Sequence, residues 1–170
     1  MSRILVLTIT GCLSPSALVA PLATHAAQVA APSAFSYIAS SGWVVKPFPG
    51  VKYKICYAKP VAGFAPDIVV VNEAAPGSIP EHAWANLTQL RAWYPGLHFL
   101  GQSSFITRSG LRGVKLPAKG TPAGHKIRQA FSLFAGNGAQ KWVVTAFTPA
   151  SEGAKYDQAL NASLKTFTLK

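Results

Sequence analysis

The chain has 170 residues, with 16 Lys+Arg against 5 Asp+Glu and a formal charge of +11. Apolar residues make up 49% of it, which excludes a wholly disordered chain, and the length suits one domain around a single core. Five carboxylates leave little material for paired-acid or acid-rich metal chemistry.

Residues 1–26 read as a secretory signal peptide: Arg3, an apolar run, then small residues, with Thr24 and Ala26 placed for cleavage before Ala27. Pro15 and Pro21 interrupt the run, which argues against a membrane anchor. The alternative is a lipoprotein, since "ITGC" ending at Cys12 resembles a lipobox, but only a short apolar stretch precedes it. Plain export to the periplasm or medium is the expectation. Cleavage would leave Cys56 alone, so the fold must hold by its core rather than by an internal disulfide. Residues 27–33 read as a flexible leader, and residues 34–170 as the domain.

"AFSYIASSGWVV" predicts a hairpin, with strands near 34–38 and 42–46. "VKYKICYAK" alternates, setting Val51, Tyr53, Ile55 and Tyr57 on one face and Lys52, Lys54 and Cys56 on the other. "DIVVVNEA" is a continuous apolar run, as a strand covered on both faces requires. "SIPEHAWANLTQLRAWYPG" predicts a helix opened by a Ser78–Glu81 capping box, with Pro80 in its first turn and Pro95-Gly96 as its stop. Its apolar stripe is read as Trp84, Leu87, Arg91 and Tyr94 beside Leu90, placing Trp84 and Leu87 in the core.

"IRQAFSLFAGNGAQKWVVTAFT" predicts two apolar strands joined by a Gly-Asn-Gly turn. The second strand is apolar on both faces, the pattern of a central strand. The closing stretch puts Tyr156, Leu160, Ser163, Leu164 and Phe167 on the stripe of a second amphipathic helix. The order implies an α+β domain: a mostly antiparallel sheet covered by helices, as a three-layer α/β/α or a two-layer sandwich.

The order of "FSYIASSGWVV", "DIVVVNEA", "YPGLHFLGQSSFITRSGLRGVKL", "RQAFSLFAGNGAQKWVVTAF" and "DQALNASLKTF" resembles the PsbP/DcrB-like family of small α/β/α sandwich domains, over about residues 34–169. The resemblance implies the three-layer sandwich. It also implies a binding or assembly module, because the family spans an extrinsic photosystem subunit, a nuclear GTPase-binding protein and bacterial envelope proteins, without a shared catalytic set.

No catalytic constellation stands out in the residues themselves. Cys56 shares a predicted face with Lys52 and Lys54, which would favour a thiolate, so a small thiol-dependent enzyme or redox protein is the alternative function. His82, His98 and His125 stand in no motif that marks a base for it, and a small buried apolar Cys is the plainer reading. Neither metal-ligand spacing nor a phosphate loop is present, so no metal or cofactor is expected. Asp67, Glu73, Glu81, Glu152 and Asp157 form no catalytic pair, and the sequons at Asn86 and Asn161 fall within predicted helices.

Charge is the strongest signal. Between Glu81 and Glu152 there is no carboxylate, yet Arg91, Arg108, Arg112, Lys115, Lys119, Lys126, Arg128 and Lys141 all fall there. A solvated face is the alternative reading. As a contact surface, Arg108, Arg112, Lys115, Lys119, Lys126 and Arg128 would meet an acidic envelope polymer, an anionic lipid surface or an acidic protein. "LRGVKLPAKGTPAGHKIRQ" is expected to double back, bringing Lys115 near Lys126 and Arg128 with Lys119 at the tip. Nucleic acid is set aside, for want of a recognisable motif and because export leads away from the genome. The expected function is thus an exported, non-enzymatic binding or accessory protein of the bacterial cell envelope. A further possibility is one subunit of an assembly, docking through Phe35, Tyr37, Trp43 and Phe48.

Overall fold

The computed structural model describes residues 34–46, 55–57, 59–61, 64–121, 124–152 and 154–170. Residues 1–33, read from the sequence as a signal peptide and leader, lie outside the described residues, as do Phe48, Val51–Lys54 and the side chains of Ile55, Cys56 and Tyr57. In chain order the elements are β1 (Phe35–Ser36), β2 (Val44–Lys46), β3 (Ile55–Tyr57), β4 (Asp67–Ala74), α1 (Ile79–Trp93), β5 (His98–Phe99), β6 (Ser103–Ile106), β7 (Arg112–Gly120), β8 (Ile127–Ala135), β9 (Gln140–Pro149), α2 (Asp157–Lys165) and β10 (Thr168–Leu169).

Eight strands form one antiparallel sheet in the order β2-β3-β4-β9-β8-β7-β5, with β6 pairing the same outer edge of β7. The Gly-Asn-Gly segment joins β8 to β9, and Gly138 takes a φ of +60° there, which an L side chain resists. The central position expected for the second strand of this hairpin holds. Lys141 to Pro149 of β9 are all buried. Such a strand needs a layer on each face, and the two helices supply them.

Alternation assigns the faces. Val143 of β9 packs with Val114, Leu116, Leu133, Ala83 and Leu87 on the α1 side. Val144 and Ala146 pack with Ile68, Val70, Phe134, Leu164 and Phe167 on the α2 side. The domain is a three-layer α/β/α sandwich. Phe167, just past α2, stands 5.3 Å from the Phe134 ring and 5.5 Å from that of Phe35, tying the chain's two ends to the sheet.

Helix α1 starts as its sequence dictates: Ser78 Oγ accepts from the Glu81 amide, and the Glu81 carboxylate accepts from the Ser78 amide at 2.6 Å. The Ser78 amide and hydroxyl, both donating to it, hold the Glu81 carboxyl below its ordinary pKa. The buried stripe, however, is Ala83 and Leu87, with Leu90 and Tyr94 packed against the cluster. Trp84 sits one position on, about 100° around the helix, and is 66% exposed.

The predicted N-terminal hairpin does not form. β1 pairs with β10 (Phe35↔Leu169, Ser36↔Thr168), and β2 pairs with β3. Phe35 is buried beneath α2, and Trp43 packs edge-on against Tyr156, so both aromatics serve the interior.

Asp67, half-buried at the start of β4, is an exception beside the apolar interior. Its Oδ1 is sealed from solvent with no hydrogen-bond partner, and burial pushes its pKa from an ordinary 3.8 up to about 8. The folded state therefore holds a proton that the unfolded chain releases between about pH 4 and pH 8, so this group's contribution lowers stability as pH rises through that window.

Two predictions follow from the layers and the buried acid. Leu87→Ala should cost about 2–5 kcal/mol through the cavity it leaves, while Trp84→Ala should cost under about 0.5 kcal/mol; urea unfolding of both variants checks the pair. Asp67→Asn, which cannot ionise, should melt above the wild type by a margin that widens from pH 4 to pH 9. Parallel melting curves across that range would contradict a sealed acid.

Candidate functional site

The basic segment is a hairpin. β7 and β8 pair with Lys119 opposite Arg128, Pro117 opposite Ala130 and Lys115 opposite Ser132. Directly opposed residues share a face, so Lys115, Lys119 and Arg128 all stand on the α2 side. Lys119 is the last residue but one of β7, and Lys126 immediately precedes β8; both are exposed. Lys119, Lys126 and Arg128 therefore group at the turn end of the hairpin, while Lys115 sits at mid-strand.

Arg112 opens β7 at the other end, opposite Ile106, and its side chain belongs to the α1 face. Seven residues separate it from Lys119, about 23 Å along a strand. Arg108 lies in the turn between β6 and β7, where its amide donates to the Lys165 carbonyl at the end of α2. Lys119, Lys126 and Arg128 thus stand at the turn end, Arg108 and Arg112 at the other, and Lys115 at mid-strand between them. Lys141 is buried on β9 opposite Glu73, so its charge lies apart from both.

Two of these cations, Arg128 and Lys115, are turned under α2. Arg128 Nη2 donates to Asp157 Oδ2 at 2.8 Å, in the first turn of the helix. One helical turn on, Lys115 Nζ donates to Asn161 Oδ1. Loss of hydration lowers the Lys115 pKa; the Asp157 charge opposes that shift and the Arg128 charge adds to it. Among the described residues no carboxylate lies within ion-pair distance of Lys115.

A trough runs beneath the helix at this point. Ala146, Ala130 and Pro117 form one row across β9, β8 and β7, and their small side chains leave space under Leu160. Two cavities, of about 20 Å³ and about 80 Å³, share Lys115, Ala130, Ala146 and Leu160 as walls. The first reaches Tyr37 and Ile68, while the second reaches Leu100 and the Arg128–Asp157 pair. Neither Asn161 nor the alanine row was singled out from the sequence. The signal lay in Ala130 and Ala146, two small residues at matching positions of otherwise bulky strands.

Other chemistry-bearing residues are scattered. His82 is buried, with Nε2 3.0 Å from Glu73 Oε1 and the Asn86 amide against its ring. His98 stands exposed on β5 opposite Lys119, and the His125 ring lies 5.9 Å from that of Phe64. Cys56 occupies β3 opposite Val45 and Ile68. Among the described residues, no three His, Cys, Asp or Glu side chains converge as metal ligands. No helix among them is long and apolar enough to cross a membrane.

No protein-family model matches the sequence, and no curated protein resembles it in sequence. Solved structures share its architecture. LpqN of Mycobacterium tuberculosis, involved in cell envelope biogenesis, aligns over 80% of this chain and 83% of its own, with a TM-score of 0.63 at 16% identity. Cyanobacterial PsbP from Synechocystis sp. PCC 6803 aligns over 86% of this chain and 99% of its own, at TM-score 0.51 and 7% identity. The chain has the PsbP-like fold. PA94 of Pseudomonas aeruginosa, a protein of unknown function described as a putative regulator, shares this PsbP-like fold at TM-score 0.58 and 11% identity, over 76% of this chain and 99% of its own. At such identities the likeness concerns the fold, and the charged hairpin must be read from this chain alone.

Proposed function

We propose that this PsbP-like domain is an exported, non-enzymatic accessory protein of the bacterial cell envelope, which holds an anionic partner against the turn end of the β7–β8 hairpin. The observation that carries the reading is the grouping of Lys119, Lys126 and Arg128 where two strands meet, with Lys119 directly opposite Arg128. Arg128 is held by Asp157, and the exposed Lys119 and Lys126 beside it form no ion pair among the described residues, so the turn suits an anionic neighbour. Arg108 and Arg112 offer a second point of contact at the far end of β7. The signal peptide read in residues 1–26 supports the location, and the envelope role of LpqN is consistent with it. The partner is an acidic polymer, an anionic lipid surface or an acidic protein region of the envelope.

Exposed charge contacts are screened over about 8 Å at physiological ionic strength, so binding should weaken steeply with salt. Co-sedimentation with anionic phospholipid vesicles and titration with a soluble polyanion should both be run at low and high salt. At least one should bind, and the double variant Lys119→Glu/Lys126→Glu should bind it at least tenfold more weakly with little change in melting temperature. Absence of salt-sensitive binding to either probe, or binding that the double variant keeps, would overturn the contact surface.

A further inference from the structure

Lys115 takes no part in the exposed turn of the hairpin. It is half-buried at the junction of the two cavities, and its ammonium donates to a neutral amide oxygen on Asn161. The nearby carboxylate, Asp157, is already engaged by Arg128 at 2.8 Å. A desolvated cation whose nearby carboxylate is taken by an arginine is costly, and proteins commonly pair such a group directly. From this point the space continues over Ala130 and Ala146 toward Ile68 and Tyr37, with apolar walls.

We propose that the trough beneath α2 binds a small amphiphilic monocarboxylate, its carboxylate on Lys115 Nζ and its unbranched alkyl tail lying along the Ala130–Ala146 floor. The trough crosses the interval from β7 to β4, three strand spacings or about 14 Å. Its floor is the Ala130–Ala146 row, walled by Ser132 and Val144 at one side and by Leu160 above, which favours a linear chain over a branched or aromatic one. One ammonium matches one negative charge, and Asp157 close by disfavours a dianion such as phosphate.

The two cavities hold only a few water-sized groups, so α2 must lift to admit the tail. The helix is suited to that. It has nine residues, no side-chain cap at Tyr156, and polar anchors at Arg128–Asp157 and Lys115–Asn161 that can re-form. This proposal is independent of the contact surface, because neither Lys119 nor Lys126 takes part in it.

The test titrates the purified domain with octanoate, below its micellar range, by calorimetry, with octanol as the uncharged control. Octanoate should bind at one site and octanol at least tenfold more weakly. Lys115→Met should weaken octanoate at least tenfold while leaving octanol unchanged, and Ala130→Leu, which fills the trough, should abolish both. Should Ala130→Leu fail to fold, amide shifts in the wild type replace it: octanoate should move Ala130, Ala146 and Asn161 and leave the α1 face still. Lys119→Glu/Lys126→Glu should bind octanoate as the wild type does, separating this site from the surface contact. No binding at millimolar octanoate, equal binding by Lys115→Met, or shifts confined to other residues would overturn the proposal.

Discussion

Strand β9 sets the terms for everything around it. Nine consecutive buried residues leave it no solvent face, so each side needs its own layer and each layer its own helix. Its neighbours β4 and β8 pair with it along nearly their whole length, which extends the same requirement across the middle of the sheet. The chain meets this demand in two different ways.

The α1 layer is sealed. A helix of fifteen residues with a complete capping box sets Ala83 and Leu87 on Leu116, Leu133 and Val143, all large or closely packed. Its polar features are internal: Glu73 holds His82, and Asp67 carries its buried carboxyl at the opposite end of β4. The α2 layer is looser. Its helix is shorter and lacks a side-chain cap, and the sheet beneath it presents a row of small residues with two cations turned inward. Aromatic packing concentrates at the far end, where Phe167 meets Phe35, Phe134 and Trp142. The α2 side is thus anchored by aromatic packing at one end and underlain by small cavities along its middle.

What could be read from sequence divides along the range of the interactions. The capping box of α1, the turn of the β8–β9 hairpin and the central place of β9 are local signals, and each appears in the structure where its residues imply. The pairing of β1 with β10 joins residues at the two ends of the domain, and no local pattern encodes it. Trp84 illustrates a narrower limit. Stripes through 84 and through 83 both reach Leu87, and only packing against β7 and β8 selects Ala83. For the site, the charge of the hairpin and its doubling back were legible. Its division was not, because the direction of Lys115 and Arg128 depends on strand register and on where Asp157 and Asn161 fall along α2. The alanine row likewise exists only once β7, β8 and β9 are aligned.

The central claim is that a firm sheet and α1 layer carry an α2 layer able to open by itself. Native-state hydrogen exchange of the backbone amides measures this directly. The account predicts that amides of β8 and β9 exchange only through global unfolding. Those of residues 157–165 in α2 should exchange at least tenfold faster, through a smaller opening. Equal protection of α2 and β9, with a shared dependence on denaturant, would contradict it.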